Sequence, residues 1–162
     1  MPPPLIPLGI VHTIISLVAV GAAVVALVRD RKLVASNRVG RVYFVATVLT
    51  CLTGLPIFQH GGFGPPHVLA ILTLVVLAIV GVAAKTSLFG GASRYVEVIG
   101  LSLTVFFHWI PGVTESTSRL PAGAPLTTGP DDPRVQAVVG IGFVLFLVGA
   151  VWQFRRLRAG TL

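Results

Sequence analysis

Apolar residues in this 162-residue chain fall in long unbroken blocks, not in the two-residue alternation of a half-buried strand or the narrow stripe of a soluble helix. A helix that crosses hydrocarbon needs roughly 20 such residues. Five blocks come close: residues 5–28, 42–58, 67–84, 95–113 and 135–154. Polar punctuation separates them. Arg29-Asp30-Arg31-Lys32 closes the first, and Arg155-Arg156-Leu157-Arg158 closes the last. A Gly/Pro run, Gly61 to Pro66, divides the second from the third, with Pro66 placed for a helical first turn. Lys85 to Arg94 reads as a short turn around Gly90-Gly91, and 114–134 as a long loop rich in Pro, Gly, Ser and Thr. The pattern predicts an all-α fold: one polytopic transmembrane bundle of about five spans, a single domain over residues 1–162.

Composition strengthens that expectation. Hydrophobic residues make up 54% of the chain and charged residues only 10%, against about a quarter in a soluble domain. Mean hydropathy is +0.93. The net charge of +7 does not point to nucleic acid, because the basic residues sit at the ends of apolar blocks and not on one soluble face. Five spans place Arg29, Arg31, Lys32, Arg38, Arg41, Lys85, Arg94, Arg155, Arg156 and Arg158 on one side, leaving only Arg119 and Arg134 opposite. The positive-inside rule then sets the N-terminus outside and the C-terminus in the cytoplasm, as in a multi-pass protein of the bacterial inner membrane. The Met1-Pro2-Pro3-Pro4 start lacks a positive n-region, and no small-residue cleavage site precedes Arg29, so the first block is expected to remain as a span. Cys51, the single cysteine, lies inside a span and has no partner for a disulfide within the chain.

The candidate chemistry is histidine. His12, His60, His67 and His108 lie far apart in sequence, yet the five-span topology sends all four toward the outer side, at depths agreeing to within roughly 10 Å. Polar side chains within a bilayer are costly and mark functional sites by default. His12, His67 and His108 are the principal candidates, and His60, beside Gln59, the secondary one. Glu97, Thr104, His108 and Glu115 are spaced 7, 4 and 7 apart, one face of the fourth span if its helix continues past Pro111. Thr47, Thr50 and Gly54 share a face of the second, and His12 and Ser16 one of the first. These positions predict an outward-facing polar pocket built by spans one, three and four. Glu97, near Arg94, is expected to snorkel into a surface ion pair, and Glu115 to lie outside the hydrocarbon. Phe63, Phe106, Phe107 and Trp109 suit an aromatic belt, or the walls around a flat cofactor.

Two stretches carry a resemblance. Asn37-Arg38-Val39-Gly40-Arg41-Val42-Tyr43 and Gly61-Gly62-Phe63-Gly64-Pro65-Pro66-His67-Val68-Leu69-Ala70 resemble motifs of the bacterial predicted membrane proteins of domain-of-unknown-function family 2306. The likeness spans about residues 8 to 110. His12 and His67 match histidines of that family, while Asn37 stands where the family often has His. The resemblance implies the multi-pass fold and topology and carries no established activity.

Several functions fit these residues. The first is haem b held by a pair drawn from His12, His67 and His108, an electron-transfer role with a quinone or an extracytoplasmic redox partner. The second is a Zn, Cu or Fe ion held by His12, His67, His108 and Glu115, which requires three or more side chains converging within about 2.2 Å of one point. The third is metal-free: His108 and Glu115 as catalytic acid–base groups on a lipid-soluble substrate, or Glu97, Thr104 and His108 as a proton relay. The fourth is an accessory structural subunit anchored in the bilayer. Self-association is open in each case, and the 114–134 loop could cover the site or dock a partner.

Overall fold

A computed structural model of the protein describes residues 6–58 and 62–162. Leu5, at the expected start of the first span, and the candidate His60 lie outside the described residues. The described chain is all-helical: α1 (Pro7–Asp30), α2 (Arg38–Gly54), α3 (Pro65–Lys85), α4 (Ser93–Arg119) and α5 (Pro133–Arg158), with one 3-10 turn, Gly90–Ala92, leading into α4. Four stretches are long and apolar enough to cross a membrane: α1, α3, α4 with its leading turn, and α5. The fifth, α2, has 17 residues, about 25 Å at 1.5 Å per residue. It is short of the roughly 30 Å hydrocarbon layer.

The distribution of side chains fits lipid as solvent. Large apolar residues point outward, with Leu17, Val28, Leu145 and Val148 each more than 60% exposed. The interior instead holds small and hydroxyl-bearing residues. Ala19, Ala23 and Ala26 form the buried stripe of α1, and Tyr43, Leu77, Val80 and Leu101 meet them. Small residues let helix backbones approach closely where lipid tails give no hydrophobic incentive to pack. α1 and α2 pack most extensively; α3 lies against α2 and α4, and α5 against α4.

Local sequence explains the helix limits. Pro7 opens α1, and Arg31 closes it in a left-handed conformation, φ 56°, with its N–H bonded to the Leu27 carbonyl. Asn37 caps α2 by accepting the Gly40 N–H at 2.7 Å. A Cβ at Gly40 would collide with the Val34 carbonyl, so only glycine permits this turn. Pro56 stops α2 at Gly54, four residues before the expected end of that span. Asp132 caps α5 by accepting the Arg134 N–H at 2.9 Å.

α4 differs most from expectation. It runs through Pro111 to Arg119, so the first six residues of the expected 114–134 loop are helical. At 27 residues it is about 40 Å long and projects beyond the hydrocarbon. Proline is tolerated inside membrane helices because neighbouring helices, hydroxyl side chains and local adjustment re-satisfy the carbonyl it frees. Beyond it the helix is held by the Glu115–Arg119 ion pair at 2.6 Å, one turn apart. The rest of the connection is not loose. Thr127 is buried, and its N–H and hydroxyl donate to the carbonyl (3.2 Å) and Oγ1 (2.9 Å) of Thr117.

Candidate functional site

The site centres on α2, the helix omitted from the expected pocket of spans one, three and four. Two of the predicted histidines reach it, one from α1 and one from α4. His12, half-buried on α1, places Nδ1 3.2 Å from Thr53 Oγ1. Its ring lies over Gly54, where a Cβ would stand 3.0 Å from Cε1. His108, buried on α4, places Nε2 3.2 Å from Thr47 Oγ1. The two rings lie within electrostatic reach of each other, and Glu115 lies within reach of His12. One helical turn deeper along α2, Tyr43 OH is 2.7 Å from Thr104 Oγ1 of α4.

The threonines decide where the protons sit. A helical Thr can donate its single hydroxyl proton back to the carbonyl four residues earlier. Thr47 donates to the Tyr43 carbonyl at 2.8 Å, Thr53 to the Leu49 carbonyl at 2.7 Å, and Thr104 to the Leu101 carbonyl at 2.8 Å. With its proton committed, each Oγ1 can only accept. It therefore takes a proton from the ring or phenol that faces it. On that arrangement His12 is assigned the Nδ1–H form, His108 the Nε2–H form and Tyr43 the donor role toward Thr104. In the neutral rings the lone pairs are then on His12 Nε2 and His108 Nδ1.

His67 stands apart from this seam. It is only 5% exposed in the first turn of α3, sandwiched between Phe58 and Phe63 with ring centroids 4.8 and 5.2 Å away. Its Nδ1 accepts the Gly64 N–H at 3.2 Å. The proton of the neutral ring is therefore on Nε2, which is buried and has no hydrogen-bond partner among the described residues. An unmatched buried donor costs about 1–3 kcal/mol. This tautomer offers no lone pair at Nε2 for a metal.

The other candidates distribute as follows. Glu115 is exposed near the C-terminal end of α4, tied to Arg119. Glu97 does not form the expected ion pair with Arg94. Its Oε1 accepts the Ala35 N–H at 2.7 Å, fastening the α1–α2 connection to α4. The Arg94 guanidinium lies instead over the Tyr95 ring, 5.1 Å from its centroid. Thr104 serves Tyr43, so Glu97, Thr104 and His108 do not join into a relay. Cys51 is buried beside Thr73. Among the described residues no three His, Cys, Asp or Glu side chains converge as metal ligands would. The predicted set of His12, His67, His108 and Glu115 is thus divided, with His12 and His108 together, Glu115 near their mouth and His67 elsewhere.

Sequence reasoning placed Thr47, Thr50 and Gly54 on one face but missed Thr53 and Tyr43. A Thr four residues after a buried aromatic is the visible hint for Thr47 alone. It also missed Gln153 of α5, which accepts from Ser102 Oγ at 2.9 Å and donates to the Arg31 carbonyl at 3.3 Å, joining three elements near the C-terminal end of α5. No family model, curated protein or solved structure matches this chain.

Proposed function

We propose that the protein is a multi-pass protein of the bacterial inner membrane whose outer half holds a metal-free acid–base site acting on a lipid-soluble substrate. His12 and His108 are its proton-handling groups, and Glu115 is the carboxylate at its mouth. The observation that carries this reading is the pair of back-bonded threonines. By accepting from His12 Nδ1 and His108 Nε2, Thr53 and Thr47 leave a lone pair on each ring, His12 half-buried and His108 buried. A neutral imidazole with an oriented free nitrogen is the commonest general base near neutral pH.

The topology is part of the proposal. α2 is the fifth span, enclosed by α1, α3 and α4, and the N-terminus is outside. Ten basic residues at one level against two at the other support that orientation. Kinship with family 2306 is proposed on the same footing. The residues that carry the likeness have defined work: Asn37 and Gly40 build the start of α2, and Gly64 to His67 build the start of α3.

Haem b is the second reading, favoured by one observation. His12 already has the ligand form, Nδ1–H donated to protein and Nε2 free, which second-shell partners impose on haem and metal histidines. His108 would have to turn its ring and give up Thr47 to present Nε2. The discriminating experiment is the visible spectrum of protein purified in mild detergent from haem-competent cells, before and after dithionite, with elemental analysis. The acid–base reading expects a flat spectrum and no stoichiometric transition metal. A Soret band that shifts on reduction would overturn it in favour of haem.

A further inference from the structure

The inner ends of α4 and α5 leave an open-sided groove of about 370 Å³, lined by Ile99 of α4 and by Ala150, Val151, Phe154, Arg155 and Arg158 of α5. That volume is at the lower end of ligand clefts. The lining is graded along the helix axis. Apolar residues occupy its length toward the bilayer centre, and two guanidiniums stand at the end where α5 leaves the membrane. The three arginines of that last turn are divided in role. Arg156 lies over the Trp152 ring, 5.5 Å from its centroid, whereas Arg155 and Arg158 line the groove. Tyr95 packs on Phe154 at 5.1 Å and carries the Arg94 guanidinium above its own ring. None of Arg94, Arg155 and Arg158 forms an ion pair with an acidic side chain among the described residues.

We infer that this groove binds one anionic phospholipid, with an acyl chain along Ile99, Ala150, Val151 and Phe154 and the headgroup phosphate between Arg155 and Arg158. Charge complementarity selects this occupant. Unpaired guanidiniums at headgroup depth attract phosphate-bearing lipid, and Arg matches phosphate oxygens with two parallel N–H donors. A zwitterionic lipid would fill the apolar part equally well but bring its own cation to the rim.

The test uses the full chain in nanodiscs of phosphatidylcholine doped with phosphatidylglycerol, followed by detergent extraction and native mass spectrometry of retained lipid. The wild type is expected to retain phosphatidylglycerol over phosphatidylcholine by at least roughly fivefold, the contribution of a single basic residue near a charged surface. R155Q/R158Q should bring the ratio near one, and so should A150F, which fills the groove while leaving every charge in place. R29Q/R31Q removes the same charge from another corner of the same side and should leave the ratio unchanged. Equal retention of both lipids by the wild type would overturn the inference. So would an equal loss in R29Q/R31Q, which would reduce the effect to general surface charge. Displacement of the lipid by inorganic phosphate alone would show a headgroup site without a chain-binding groove, and would overturn it as well.

Discussion

At the scale of single residues, the recurring device is a threonine that has already given its proton to its own helix. Thr47, Thr53 and Thr104 behave this way at the site, and Thr117 does so where it accepts from Thr127. Each becomes a fixed acceptor that sets the tautomer or rotor of its partner. Nitrogen-15 shifts of histidine-labelled protein should therefore show the Nδ1–H form for His12 and the Nε2–H form for His108 and His67. Thr47→Val keeps shape but removes the acceptor. It should shift His108 away from its Nε2–H form and destabilise the fold by about 1 kcal/mol, the usual scale for polar contacts between membrane helices, read by unfolding in mixed micelles. An unchanged His108 tautomer in that variant would sink the assignment. None of this was legible in the chain, because a threonine in an apolar block carries no sign of which ring it will face. That depends on how α1, α2 and α4 are rotated about their axes. The positions of His12, His67 and His108 along their helices were legible, since place along a helix follows from counting residues.

At the scale of elements, helix identity followed from hydropathy, and the helix ends followed from caps only where familiar chemistry was present. Asn37 and Asp132 are such cases. α4 ran past Pro111 because proline removes a single N–H, and a membrane helix re-satisfies the freed carbonyl through neighbouring groups. Glu97 was misjudged for a related reason: its partner is a backbone N–H in a connection 62 residues away, which has no side-chain signature. The start of α5 offers a pH test. The Asp132 carboxyl accepts from the Arg134 N–H first and the Thr128 N–H second, and these bonds hold it below the usual aspartate range. A depressed folded-state pKa gives stability that is complete above the unfolded value, about 3.9, and is lost as pH falls through the folded one. The Arg134 amide resonance should titrate with a midpoint below about 3.9. Asp132→Asn, which keeps a cap, should abolish that titration without releasing α5. A midpoint at or above the ordinary value would remove Asp132 as a charged cap.

At the scale of the whole molecule, the bundle is a pair of tightly packed helices, α1 and α2, to which α3 and α4 add, with α5 at the edge. α5 is joined to α4 by the Trp109 Nε1–H bond to the Val138 carbonyl (3.2 Å), over Gly142, and near its C-terminal end by Gln153. The shortness and polarity of α2 bear on biogenesis. A 17-residue segment with Tyr43, Thr47 and Thr50 on its inner face is a poor substrate for lateral release into lipid by itself. Its Tyr43 hydroxyl finds a partner only on α4, and the alanine stripe of α1, which precedes it in the chain, is the surface against which it packs most closely. The two are therefore expected to leave the translocation channel as a hairpin. In a glycosylation-site assay on nascent chains, α2 fused behind a neutral leader should insert poorly, while α1 and α2 in tandem should insert well. Replacing Ala19 and Ala23 of α1 by Leu should return α2 to poor insertion. The residues that make α2 polar are thus also the ones that make its insertion depend on its neighbours.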